Sequence, residues 1–176
     1  LGILYAKKKW LQELPPYQGG GGMIKEVKKD SISYGDLPNK YEAGSMATAQ
    51  VVGFDQSIKF LEKIGINKVI QHEKELMDYG KEILRKNNSV KLIGNPKKKG
   101  AILSFTIEGI HPHDIATILD EDSVAIRAGH HCCQIFHETL GIAASARASL
   151  GIYNTKEDID RLNSSINKCK KIFNLK

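Results

Sequence analysis

From Gly65 onward the hydrophobic period of this chain switches repeatedly between that of a helix and that of a strand, and this alternation narrows the possible folds more than any other feature. Ala101, Leu103, Phe105 and Ile107 alternate with Ile102, Ser104 and Thr106, the period of two that marks a strand packed mainly on one face. Before it, residues 68–86 repeat at helical spacing and are expected to bury Val69, Leu76, Met77, Ile83 and Leu84. After it, a helix is expected to start around His111-Pro112, since proline at the first helical position costs no hydrogen bond, and to run through Ile115, Ile118 and Leu119. Residues 123–127 and 146–150 read as two short strands separated by a loop rich in cysteine and histidine. The last helix follows Thr155, which with Asp158 three residues on forms a capping-box pattern, and carries Ile159, Leu162, Ile166, Cys169 and Phe173 on one stripe. Cys169 is therefore expected to be a buried structural thiol. Strands interleaved in this way predict an α/β (two-layer α+β) domain, with helices covering one face of a small mixed or antiparallel sheet.

The first third of the chain is less regular. Residues 1–6 (LGILYA) suit a short buried strand, followed by a basic turn, the loop Pro15-Pro16-Tyr17-Gln18 and a run of four glycines, Gly19 to Gly22. Residues 25–39 lack sustained periodicity and read as loop with short extended pieces. Val51, Phe54, Ile58 and Leu61 then recur at intervals of three and four, which predicts a linking helix with a buried stripe, ending near Gly65.

Composition excludes several classes. With 176 residues, 41% hydrophobic and 26% charged, the chain has the make-up of a soluble globular protein and the length of one ordinary domain, or of a smaller domain carrying part of a neighbour. No apolar run approaches the roughly 20 residues of a membrane helix. The net charge of +6 comes largely from clusters such as Lys7-Lys8-Lys9 and Lys97-Lys98-Lys99. These lack the interleaved aromatic residues that stack on bases, so they read as solvated turns and faces, and no nucleic-acid partner is expected. Three cysteines, two of them adjacent, make no disulfide framework, and a reducing cytoplasm is the expected setting. The chain opens at Leu1 without methionine on a segment that reads as a strand already under way, which is expected of a piece of a longer protein.

The densest chemistry is Arg127-Ala128-Gly129-His130-His131-Cys132-Cys133, in a loop between a predicted strand and a predicted helical turn. A thiol is a nucleophile only as the thiolate, which nearby positive charge or a base favours, and Arg127, His130 and His131 offer both. Equally, one cysteine can serve as a small hydrophobe while the histidines cap backbone. A third reading is zinc, because His130, His131, Cys132, Cys133 and His137 fall within eight positions. The usual structural zinc sites, however, need a second ligand pair far off in sequence, and none exists here, so no metal is assigned. Arg147 lies on a strand otherwise built from Ala146, Ala148 and Leu150, where a guanidinium needs either a carboxylate ligand or an internal ion pair. The glycine run lacks the Gly-Lys-Ser/Thr ending of a phosphate-binding loop. Tyr41-Glu42-Ala43-Gly44-Ser45 stands just ahead of a helix, where a hydroxyl and free N–H groups hold a phosphate or where Ser45 simply caps the helix.

Taken together and in order, Pro15-Pro16-Tyr17-Gln18-Gly19-Gly20-Gly21, Tyr41-Glu42-Ala43-Gly44, Arg127-Ala128-Gly129-His130-His131-Cys132 and Arg147-Ala148-Ser149-Leu150-Gly151-Ile152-Tyr153-Asn154-Thr155 resemble the SufS-like cysteine desulfurases. These are fold type I pyridoxal-phosphate enzymes of the class V aminotransferase group, which overlaps the selenocysteine lyases. The resemblance implies that Cys132 accepts sulfur from L-cysteine, leaving L-alanine and a persulfide that passes to a sulfur-acceptor protein for iron–sulfur cluster assembly. It implies that Arg147 grips the substrate carboxylate, with Arg127 near the same pocket. It implies a homodimer in which Gly19 and Ser45 reach the phosphate of the partner subunit's cofactor.

The same resemblance implies a division into residues 1–46 (part of a large cofactor-binding domain), 47–66 (a linking helix) and 67–176 (a small domain carrying the cysteine loop). Ser45-Met46-Ala47 departs from the threonine, proline and asparagine usual in the family but preserves the hydroxyl, and Cys133 is a second cysteine that the family rarely has. The lysine that holds the cofactor is expected a few residues ahead of Leu1. The 176-residue chain alone is accordingly expected neither to hold the cofactor covalently nor to turn over cysteine, and an absorbance band of covalently held cofactor in the purified chain would contradict this.

Overall fold

A computed structural model describes residues 1–96 and 99–175, and it divides into two compact units, Leu1–Lys63 and Ile64–Lys176. Lys97 and Lys98, within the basic cluster expected to be a solvated turn, lie outside the described residues.

The second unit is built as the alternating periods predict. Its sheet has strands β3 (Val90–Leu92), β4 (Ile102–Ile107), β5 (Arg127–Gly129) and β6 (Ser145–Ser149), in the order β3-β4-β6-β5 with every pair antiparallel. Leu103, Phe105 and Ile107 of β4 and Ala146 and Ala148 of β6 point to one face and are buried there. Against them pack α3 (Ile66–Arg85), α4 (Pro112–Glu121) and α6 (Lys156–Ile172) through Met77, Leu84, Ile115, Leu119, Leu162, Ile166 and Cys169. Each large side chain so removed from water contributes about 1.5–3 kcal/mol. Gly80 sets the closest approach of α3 to the sheet, since a Cβ there would stand 2.6 Å from Leu103 Cδ1.

Helix ends follow their local chemistry. Pro112 opens α4 behind the His111 cap, and the carboxylate of Asp158 accepts the Thr155 N–H at 3.0 Å, completing the capping box of α6. Asp122, just past α4, accepts from Ser165 Oγ at 2.7 Å and Lys168 Nζ at 2.8 Å and so ties α4 to α6.

Two expectations shift in this unit. The strand expected at residues 123–127 begins only at Arg127, because Ser123 turns the chain with a φ of 60°. Ile83 is half-buried rather than buried, while Gly80, not counted on the stripe, is buried. The short strand β3 carried no readable period.

The first unit departs further. Residues 1–6 form no strand, having no neighbouring strand to pair with in their unit, and the basic turn is instead a short helix, α1 (Lys8–Glu13). The aperiodic stretch is a hairpin of β1 (Ile24–Lys28) and β2 (Ser31–Tyr34), exposed along its whole length. Helix α2 (Thr48–Ile64) forms where expected but buries nothing. Val51, Phe54, Ile58 and Leu61 stay 40–46% exposed because no other element of the unit lies over their stripe.

Candidate functional site

Strand β5 pairs with β6 in a register that sets Arg127 directly across from Arg147, Ala128 across from Ala146 and Gly129 across from Ser145. Side chains directly opposite in an antiparallel pair share a face, with Cβ atoms about 4.5–5.5 Å apart. The two guanidiniums therefore leave the sheet side by side, on the face away from the helices, with Ser104 of β4 continuing the row beside Arg147. Placing like charges together is unfavourable unless an anion joins them, and among the described residues no carboxylate does so. Among the described residues every ion pair is made by a lysine, and the Nε of Arg147 is buried with no hydrogen-bond partner. The internal ion pair that was one reading of Arg147 is not formed.

Beyond Arg127 the chain makes a tight reversal. Gly129 has a φ of 122°, a conformation that side chains with a Cβ rarely adopt. His131 and Cys132 follow with φ of 52° and 61°, and the Cys133 N–H closes the turn on the His130 carbonyl at 2.9 Å. Positive φ at both central residues is the mark of turns usually filled by Asn-Gly, so His-Cys here stores backbone strain of order 1–3 kcal/mol per residue. The turn holds Cys132 exposed at its tip, and Arg127 Nη2 approaches Cys132 Sγ at 3.7 Å.

Two histidines and a serine support the turn from below. His131 Nε2 donates to the Ser145 carbonyl at 3.0 Å, because a carbonyl can only accept, which leaves His131 Nδ1 as a buried lone pair without a partner. Burial, reinforced by the charges of Arg147, Arg127 and His137, holds His131 below the usual histidine value against the opposing bond to Ser145. His137, buried on α5 (Gln134–Thr139), contacts the Cys133 carbonyl at 3.0 Å through Nδ1 and the Ser145 hydroxyl at 2.9 Å through Nε2.

The structure thus gathers Cys132, Arg127 and Arg147 at one edge of the second unit. Cys169 is buried in the core, where desolvation pushes its thiol up. Sequence reasoning missed Ser145, which receives both histidines; a lone serine two residues ahead of Arg147 carries no signal of that duty. Of the histidines in the zinc reading, His131 turns Nε2 onto the Ser145 carbonyl and His137 turns both nitrogens onto Cys133 and Ser145. Among the described residues no three His, Cys, Asp or Glu side chains are grouped to hold an ion.

Gly19 and Ser45 belong to the first unit. Their segments are clasped together, with the Gly44 N–H donating to the Gly21 carbonyl at 2.9 Å and Gly20 so close that a Cβ would stand 3.2 Å from Gly44 N. Ser45 is exposed on a cleft of about 520 Å³ bordered also by Leu4, Tyr41 and Met46, and it lies three residues ahead of α2 rather than at its cap. The first turn of α2 carries no acidic side chain.

Residues 1–162 match the family described as aminotransferase class V. A curated "Probable cysteine desulfurase" of Staphylococcus epidermidis is 41% identical over 174 residues, which is 98% of this chain and 42% of that protein. A solved cysteine desulfurase of Thermococcus onnurineus superposes with a TM-score of 0.89 at 30% identity, over 95% of this chain and 42% of its own. The cysteine desulfurase CsdA of Escherichia coli, solved as an S-sulfonic acid, gives 0.88 at 30% identity, over 96% and 42%. The chain therefore spans about two fifths of the length of the relatives it matches.

Proposed function

The chain belongs to the class V aminotransferase family, and on that premise we propose that its second unit is the sulfur-accepting part of a pyridoxal-phosphate-dependent cysteine desulfurase. The observation that carries the reading is the exposed Cys132 thiol 3.7 Å from Arg127, on a strand that sets Arg127 against an Arg147 with no carboxylate of its own.

Each residue has a stated task. Arg147 binds the carboxylate of L-cysteine, for which the planar fork of donors of a guanidinium is suited. Arg127 stabilises Cys132 as thiolate, and Cys132 takes the substrate's sulfur as a persulfide while L-alanine is released. The strained turn fixes the thiol at the tip of a rigid support, so that its approach is set by β5 and α5 rather than by a free loop. His131, held neutral beside the arginines, adds no further positive charge.

Pyridoxal phosphate, when bound, supplies the electron-withdrawing ring that weakens the bond between the substrate's β-carbon and sulfur. The residues present fit part of that group. The Ser45 hydroxyl and the backbone around Gly19, clasped through Gly20 and Gly44 ahead of a helix whose first turn carries no acidic side chain, suit a phosphate dianion, with Glu42 the one carboxylate on the same cleft. No lysine is bonded to the Cys132 turn among the described residues, so nothing there fits the cofactor's aldehyde. On this reading residues 1–46 belong with a cofactor-binding domain, 47–66 link, and 67–176 present the thiol. The protein acts as a homodimer in the cytoplasm, with Gly19 and Ser45 serving the partner's site, and hands sulfur to an acceptor protein for iron–sulfur cluster assembly.

The test is turnover by the complete gene product with L-cysteine and pyridoxal phosphate. Cys132→Ser is expected to cut alanine formation by at least about a thousandfold, as removal of a nucleophile does. Alanine formation unchanged in that variant would refute the assignment, and faster release of selenide than of sulfide would move it to a selenocysteine lyase.

A further inference from the structure

Cys133 is the one thiol at the site that the proposed reaction does not use. It is exposed and follows Cys132 directly, yet its sulfur is held in place. The thiol donates to the His130 carbonyl at 2.9 Å, and Sγ lies 3.8 Å from His137 Nδ1. The same Nδ1 stands 3.0 Å from the Cys133 carbonyl, which can only accept, so this nitrogen carries the proton and Nε2 accepts from the Ser145 hydroxyl at 2.9 Å. The Nδ1–H is thereby directed at the Cys133 carbonyl with Cys133 Sγ 3.8 Å away, and the ring is held in that orientation by Ser145. Here its part is to donate to sulfur as charge develops there. On the other side of the turn, Arg127 is placed to stabilise Cys132 as a departing thiolate.

We propose that Cys133 is a second sulfur carrier, taking the outer sulfur of the Cys132 persulfide and presenting it one residue further along the turn. The inference rests on the reading of Cys132 as the sulfur acceptor. In the step, Cys133 Sγ bonds to the outer sulfur while the bond from that sulfur to Cys132 Sγ breaks. The electron pair of the broken bond goes to Cys132 Sγ, which takes up, through solvent, the proton that Cys133 gives up. One sulfur–sulfur bond replaces another, so neither an oxidant nor a reductant enters. His137 is a positioning residue in this step, and Ser145 acts through it.

The experiment loads the 176-residue chain with glutathione persulfide, blocks it with an alkylating agent after short times and locates the extra sulfur by fragmentation mass spectrometry. In the wild-type chain the sulfur is expected first on Cys132 and then on Cys133. Cys133→Ser leaves Cys132 loading unchanged, and Cys132→Ser lowers early labelling of Cys133 at least tenfold. His137→Gln, or Ser145→Ala should the first variant fold poorly, lowers the share on Cys133 without lowering that on Cys132. Equal labelling of Cys133 with and without Cys132, or a Cys132 persulfide that never reaches Cys133, overturns the relay alone. No sulfur on Cys132 in either the wild type or Cys133→Ser overturns the Cys132 reading and the relay with it.

Discussion

The two units of this chain use apolar residues in opposite ways. In Ile64–Lys176 a four-stranded sheet and three helices close a single core around Leu103, Phe105, Leu119 and Ile166, each fully or almost fully withdrawn from water. In Leu1–Lys63 Met23 is the only buried hydrophobic residue, while Val51, Phe54, Ile58 and Leu61 line one side of α2 in the open. Both α2 and α3 carry apolar residues at helical spacing, though α2 segregates them less sharply, so periodicity reports that a face can be covered and says nothing of whether the covering element is in the same unit. The exposed Cys132 thiol and both arginines stand on the unit that has its own core, which is where rigid positioning of a side chain to a few tenths of an ångström can be sustained.

That contrast can be broken most decisively by matched truncations read by chemical denaturation. Leu103→Ala is expected to cost about 2–5 kcal/mol, since it empties space in a closed core. Leu61→Ala, the same deletion on α2, is expected to cost no more than about 0.5 kcal/mol. Comparable losses at the two positions would show that the first unit has a core of its own.

A second comparison separates stability from function within the second unit. Arg147→Met removes a guanidinium that has no ion-pair partner among the described residues and whose Nε is buried without a hydrogen bond, so the thermal midpoint should hold or rise. Turnover of L-cysteine by the complete gene product should fall about a hundredfold or more. A large drop in the midpoint would mean that Arg147 is structural. Gly80→Ala should cost about 1–3 kcal/mol, because its Cβ would meet Leu103 Cδ1 on the stiff side of the core.

The smallest expected effect is on acid stability. Hydrogen bonds from Lys168 and Ser165 hold the Asp122 carboxyl below its usual value. A carboxyl depressed on folding stabilises above its unfolded pKa, and that contribution disappears as the pH falls below about 4. Asp122→Asn should therefore lower the thermal midpoint at neutral pH and leave it less dependent on pH in the acid range. An unaltered acid limb would detach Asp122 from the tie between α4 and α6.

Much of this was legible in the sequence, for local reasons. The capping box at Thr155 and Asp158, proline at the start of α4 and the alternation of β4 each depend on residues within one turn or one strand, and each formed as read. The strand expected at residues 1–6 failed because a strand needs a neighbour, which no local pattern guarantees. At the site, the Arg127–Cys132 run marked the loop on which the thiol stands. The opposition of Arg127 and Arg147 depended on a register between strands almost twenty residues apart in sequence, and the strain at His131 and Cys132 on backbone angles that their side chains do not favour.

The central claim is that Cys132 stands beside a pair of arginines placed to receive an anion, and alkylation of the purified chain tests it directly. The rates of modification by iodoacetate, which is charged, and iodoacetamide, which is neutral, would be measured separately at Cys132 and Cys133. The ratio of iodoacetate to iodoacetamide should be several-fold higher at Cys132 than at Cys133, and should fall to the Cys133 value in Arg147→Gln and Arg127→Gln. Equal ratios at the two cysteines in the wild type, untouched by either substitution, would contradict it.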